Sequence, residues 1–112
     1  MKNRLPIRRP AVYLCGLVLF LNGCVTAPES PKVHTVEIRQ MQFQPSELTV
    51  QKGDTVVFIN NDMVEHDVAE EKNKTWSSSP LPAGKSYSLV VNQSADYYCT
   101  IHPVMKGKLL VQ

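Results

Sequence analysis

The sequence predicts an all-β domain, a Greek-key β-sandwich of seven to eight strands, behind an export signal. Three observations carry this. Short runs rich in Val, Ile, Thr, Tyr and Phe recur from Val33 onward. Gly-, Pro- and Asp-containing turns separate them. No segment repeats its apolar residues at helical spacing. Strands this short bury their alternate side chains by packing two sheets face to face.

The first segment stands outside that domain. "MKNRLPIRRP" carries Lys2, Arg4, Arg8 and Arg9 and no acid, and "AVYLCGLVLFL" then runs apolar. A basic start, a short apolar stretch and small residues before a cut describe a signal peptide, here 1–23. The apolar run falls short of the roughly 20 residues a membrane span needs. "LNGC" resembles a bacterial lipobox, which makes Cys24 the first residue after cleavage and a lipid anchor. The expected location is the bacterial cell envelope, anchored on its periplasmic side. Val25 after the anchor resembles an outer-membrane sorting signal in a Gram-negative host. "VTAPESPK", with two prolines and small polar residues, reads as a tether, so 24–32 joins anchor to domain.

Removing the signal changes the charge. The whole chain is formally +2, but four of its 12 basic residues leave, and eight then face 10 acids. No basic patch remains to suggest nucleic acid. The remaining 33–112 is about 80 residues, enough for one modest core.

Within it, "HTVEIRQMQF" places Val36 and Ile38 on one face and Met41 and Phe43 on the other parity, which predicts a bend or bulge near Gln40. "ELTVQKGDTVVFIN" is two strands around a Lys-Gly-Asp turn. "MVEHDVAE" alternates, with Val64, His66 and Val68 on one side. "EEKNKTWSSSP" is polar and predicts a long loop in which Trp76 is partly buried. "PLPAGKSYSLVV" opens on a turn and then alternates Tyr87, Leu89 and Val91. "DYYCT" and "GKLLVQ" supply the last strands, with 100–105 as the loop between them.

That loop holds the chemistry. Cys99, His102 and Met105 stand with two residues between each. Cys15 leaves with the signal and Cys24 is the anchor, so Cys99 has no disulfide partner. An exported protein ordinarily pairs its cysteines, and metal ligation would protect a lone thiol. Thiolate and thioether are soft ligands and imidazole is borderline. Two His, one Cys and a weak axial Met form the blue-copper set. The second imidazole comes from His34 or His66; His66, on an apolar-faced segment rather than beside the tether, is the better candidate. Zinc on Cys and two His is the alternative, but a thioether is a poor zinc ligand.

The flanks extend the pattern. "FQPSELTVQKGDTVVFINND" resembles the "P-x-x-(L/I)-x-V-x-x-G-D-x-V-x-(F/W)-x-N" run of cupredoxins, the small type I copper proteins. "VEHDV", "PLPAGKSYSL" and "YYCTIHPVMKGKLLVQ" resemble their first-histidine segment, their Pro-Gly strand entry and their ligand loop. The resemblance covers nearly all of 33–112 and is closest to the amicyanin and plastocyanin-like members, with the short amicyanin spacing between His102 and Met105. It implies His66 and His102 as equatorial imidazoles, Cys99 as thiolate and Met105 as axial thioether around one copper per chain. Two positions depart from the pattern. Asp67 stands where Asn is common, and Ile101 where Pro is frequent. The Asp67 charge is expected to favour Cu(II), and the loop to be less rigid without a proline at 101.

The resemblance implies a monomeric one-electron carrier rather than an enzyme. His102 would be the electron port, with Pro103 and Val104 as an apolar rim. Its partners would be redox proteins such as a c-type cytochrome, a dehydrogenase or an oxidase. Copper binding for delivery or resistance is the second reading, although the exposed Met- and His-rich clusters of such proteins are missing from the sequence. A purely structural sandwich is the third. Met41 and Met63 read as packing residues. Asp62, Glu65, Asp67, Glu70 and Glu71 read as a solvated acidic face that could attract a basic partner.

Overall fold

The computed structural model describes residues 29–112, with a few isolated positions ahead of them. Most of the expected signal, Cys24 and the first part of the tether lie outside the described residues. Eight strands follow in order: β1 (Val33–Arg39), β2 (Gln42–Gln44), β3 (Glu47–Val50), β4 (Thr55–Asn60), β5 (Ala69–Glu70), β6 (Ser86–Val90), β7 (Ala95–Cys99) and β8 (His102–Val111). They form two four-stranded sheets, β2-β1-β4-β6 and β3-β8-β7-β5. Both sheets are mixed: β1 runs parallel to β4 and β3 parallel to β8. The chain leaves the first sheet after β2, adds β3 to the second, and returns as β4. This crossing lets short strands pair in parallel without a helix between them.

The core follows the two-residue period of a half-buried strand. In β4, Val56, Phe58 and Asn60 are buried, while Thr55, Val57 and Ile59 are only partly so. Val36 and Ile38 from β1, Tyr97 and Cys99 from β7, and Met105 and Leu109 from β8 meet them between the sheets. Each large apolar side chain buried there contributes about 1.5–3 kcal/mol. Five aromatic rings tie the layers together: Tyr97 meets Phe43 edge-on at 4.8 Å and Phe58 at 5.2 Å, and Phe58 stacks on Trp76 and Tyr87. Trp76 is partly buried from its loop, as expected.

Three local expectations change. The predicted bend near Gln40 is a two-residue hairpin turn, because Arg39 pairs with Gln42. Gln40 and Met41 occupy it with φ of 53° and 58°. Both central residues left-handed is the type I′ pattern, which matches strand twist but ordinarily selects Asn-Gly. The "MVEHDVAE" segment is not a continuous strand. His66 makes one isolated bridge to Leu81, Val64 is exposed, and regular pairing begins at Ala69. The predicted loop 100–105 shrinks to Thr100 and Ile101, since β8 already begins at His102. Pairing there is irregular: Tyr98 opposes Lys106 but Cys99 opposes His102. Pro103, Val104 and Met105 therefore bulge from the ladder, which re-aims their side chains.

At the end of the sandwich nearest the tether, Asp54 is buried and accepts three hydrogen bonds. Its donors are Lys32 N–H at 2.9 Å, His34 Nε2 at 2.8 Å and Gln51 N–H at 3.0 Å. Those bonds, the Lys32 amide first, hold its carboxyl down from an ordinary 3.8 to about 2. A carboxylate depressed on folding stabilises the fold above its unfolded pKa and loses that contribution as pH falls through its folded one. Asp54→Asn is therefore expected to flatten the acid limb of stability between about pH 4 and about pH 2. Denaturant midpoints measured across that window in both proteins check it; parallel curves would contradict it.

Candidate metal centre

The opposite end of the sandwich gathers the expected ligands. Cys99 is the last residue of β7 and fully buried. His102 opens β8 directly across from it and is half-buried. Met105, carried inward by the bulge, is buried in the same core cluster as Cys99. His66 is fully buried, held by backbone bonds in both directions with Leu81. The ligand atoms of His66, Cys99 and His102 lie within 4.8 Å of one another. His34, the other candidate imidazole, is occupied with Asp54 at the far end.

Both rings present Nδ1 to the thiol. Cys99 Sγ is 3.8 Å from His66 Nδ1 and 3.7 Å from His102 Nδ1. An ion about 2.3 Å from sulfur and about 2.0 Å from nitrogen separates those atoms by about 3.5–3.7 Å, depending on the angle at the ion. The observed separations are of that size, so one ion can sit between the thiol and each ring, as the His₂Cys set of blue copper requires. Burial pushes the Cys99 thiol pKa up, partly offset by the backbone N–H groups of Asp67, Ile101 and His102. A cation with thiolate preference is what would ionise it.

The acidic run does structural work that the sequence reading missed. Asp62 accepts from Gln40 N–H, Met41 N–H and His66 Nε2. Asp67 accepts from the N–H of Thr100 at 2.6 Å and from its hydroxyl, while its own N–H points at Cys99 Sγ. Glu70 is buried and accepts from Asn73 and Thr75, closing the turn after β5. Glu71 pairs with Lys106 at 2.7 Å. Asp62 and Asp67 thus pin segments around the site, while Glu70 closes a turn and Glu71 forms a surface pair with β8. Asp67 ties the His66 segment to the Cys99–His102 turn, which firms the turn despite Ile101 in place of proline. Asn60 was also missed. Its amide donates to Val64 O and Leu81 O, and its oxygen accepts from Asp62 N–H, so the loop before His66 is fixed at two points and tied to Leu81. The Asn closing the F-x-N run was the available signal.

Residues 32–112 match the family described as copper binding proteins, plastocyanin/azurin family. The chain belongs to this family. Among relatives, amicyanin of Paracoccus denitrificans is 35% identical over 83 residues, which cover 69% of this chain and 63% of that protein. Amicyanin-alpha of Methylorubrum extorquens is 33% identical over 109 residues, 91% of this chain and 92% of that one. A Cu(I) structure of an amicyanin variant superposes with a TM-score of 0.67 at 30% identity, covering 71% of this chain and 82% of that one. The cupredoxin fold and its binding of type I copper carry over with the family. The gathered donor set fits that ion.

Proposed function

We propose that the chain is a one-electron carrier holding one copper on His66, Cys99, His102 and Met105. The observation that carries it is the placement of two Nδ1 atoms, at 3.8 and 3.7 Å, beside one buried thiol. Copper bound there would supply a single electron by cycling between Cu(I) and Cu(II). The protein's part is to keep the donors still. Cys99 and His102 are paired across β7 and β8, and His66 is bridged to Leu81, so neither oxidation state asks the backbone to move. His102 reaches the surface, and the exposed side chains of Ile101, Val104, Met63 and Val64 belong to the flanking segments. Such a rim suits brief docking by a redox protein of the c-type cytochrome, dehydrogenase or oxidase class. The chain itself turns over no substrate. Fully buried His66 and Cys99 speak against a role in handing copper on.

The test is the visible and EPR spectrum of residues 24–112 after addition of Cu(II). An intense blue thiolate-to-copper band supports the reading. A colourless protein with full copper occupancy sinks it.

Cys24 is proposed as a lipid anchor in the cell envelope, supported by the Leu21–Cys24 lipobox. The wild type is expected with the membrane fraction, the outer membrane in a Gram-negative host, and Cys24→Ala away from it. Recovery of the wild type as a freely soluble periplasmic protein contradicts the anchor.

A further inference from the structure

We propose that Asp62 is a positioning residue of the metal centre, which sets the tautomer of His66 and clamps the Gln40–Met41 turn onto it. Its consequence for copper rests on the function proposed above; its geometry does not.

One carboxylate serves three donors on two elements. Oδ1 takes the Gln40 N–H at 3.0 Å; Oδ2 takes the Met41 N–H at 2.9 Å and His66 Nε2 at 2.9 Å. Two backbone amides already donate to this carboxylate, one to each oxygen, so it stands as an acceptor toward His66 as well. An ionised carboxylate only accepts, so His66 must carry its proton on Nε2. That leaves the Nδ1 lone pair free, and Nδ1 is the atom facing Cys99 Sγ. A carboxylate on the outer nitrogen of a ligating imidazole fixes the ring and makes it a stronger donor. His102 has no such carboxylate among the described residues. The two imidazoles are therefore unequal: one buried and oriented, one half-buried and held by its strand.

The same carboxylate holds two non-glycine residues in left-handed conformation. The turn has Gln-Met where Asn-Gly would form unaided. Asp62 stands in for that local preference.

Asparagine at 62 is nearly isosteric but offers one oxygen. Turned toward Met41 and His66, it sets its NH₂ against the Gln40 N–H. Turned the other way, it sets its NH₂ against His66 and favours the proton on Nδ1, which blocks the metal-facing nitrogen.

The experiment begins with ¹⁵N NMR of the copper-free wild type, which is expected to show His66 protonated on Nε2. Asp62→Asn is then compared in the wild-type background and with Gln40→Asn and Met41→Gly, which supply a self-forming turn. Copper(II) affinity by chelator competition should fall about 10- to 100-fold in both backgrounds. The Nδ1–H form of His66 should appear in both copper-free variants, and the reduction potential should rise because a weaker imidazole donor stabilises Cu(II) less. Wild-type His66 protonated on Nδ1 overturns the proposal. So does recovery of affinity by the turn substitutions alone, which would reduce Asp62 to a turn residue. A colourless copper complex with the predicted tautomer would instead strike the function and leave the positioning intact.

Discussion

Cys99→Ala is expected to abolish the blue absorption of the copper-loaded protein while leaving the fold in place. The band requires a thiolate bound to copper, and Cys99 is the one cysteine among the described residues. Its sulfur is also the atom toward which both imidazoles point, at 3.8 and 3.7 Å. Alanine leaves two imidazoles and a thioether, a set that can still hold copper but without the charge-transfer band. The structural cost is small, because the substitution removes one buried atom from a position whose backbone pairing with His102 stays. The decisive measurement is colour against copper content, with circular dichroism as the check on folding. Persistent blue colour in Cys99→Ala would mean that another sulfur binds the ion.

Gly107→Ala should be among the most destabilising single substitutions outside the ligands. Gly107 pairs with Tyr97 across β7 and β8, and the Tyr97 ring lies over the glycine. A Cβ at 107 would fall inside the ring, meeting Cζ and Oη. The ring has nowhere to go. Phe43 and Phe58 meet it edge-on, Trp76 packs at 6.2 Å, and its side chain is wholly buried. Overpacking of this kind costs about 1–3 kcal/mol, and the lack of space places this case near about 3 kcal/mol. For a domain of this size that lowers the midpoint of thermal unfolding by roughly 10–20 °C. Lys108→Ala, one residue on with an exposed side chain, should stay within about 0.5 kcal/mol. Equal midpoints for Gly107→Ala and the wild type would show that Tyr97 can move aside. Tyr97 stands two residues before Cys99 on β7, so displacement of its ring should also broaden the copper spectrum.

Most of the fold was legible because strands write their burial into alternate residues. Val56, Phe58 and Asn60, or Tyr97 and Cys99, announce an inner face without reference to the rest of the chain. The failures cluster where backbone geometry is not set by such alternation. The segment with Val64, His66 and Val68 keeps a strand-like pattern, yet Asn60 and Asp62 hold its approach as a loop. The Gln40–Met41 turn lacks any turn residue, because a carboxylate 21–22 residues away supplies what glycine would have. The acidic run looked like a solvated face for the same reason. The donors to Asp67 lie 33 residues away and the partner of Glu71 35, distances over which a sequence carries no local trace.

What the sequence determined by itself is the chemistry on offer: the thiol of Cys99, the imidazole of His102 and the thioether of Met105, spaced so that a single turn could present all three. Ligand identity depends on side-chain type and short spacing, and both are local. Only the tertiary structure brings His66, which the sequence already favoured over His34, beside Cys99 and His102, turns Nδ1 of each ring toward the sulfur, and sets separations that suit a shared ion. It also decided that Asp62 and Asp67 hold the donors in place. Those outcomes depend on which strand lies beside which and in what register. Register is fixed by the sum of core packing and distant hydrogen bonds, and no residue of the ligand segment carries that sum.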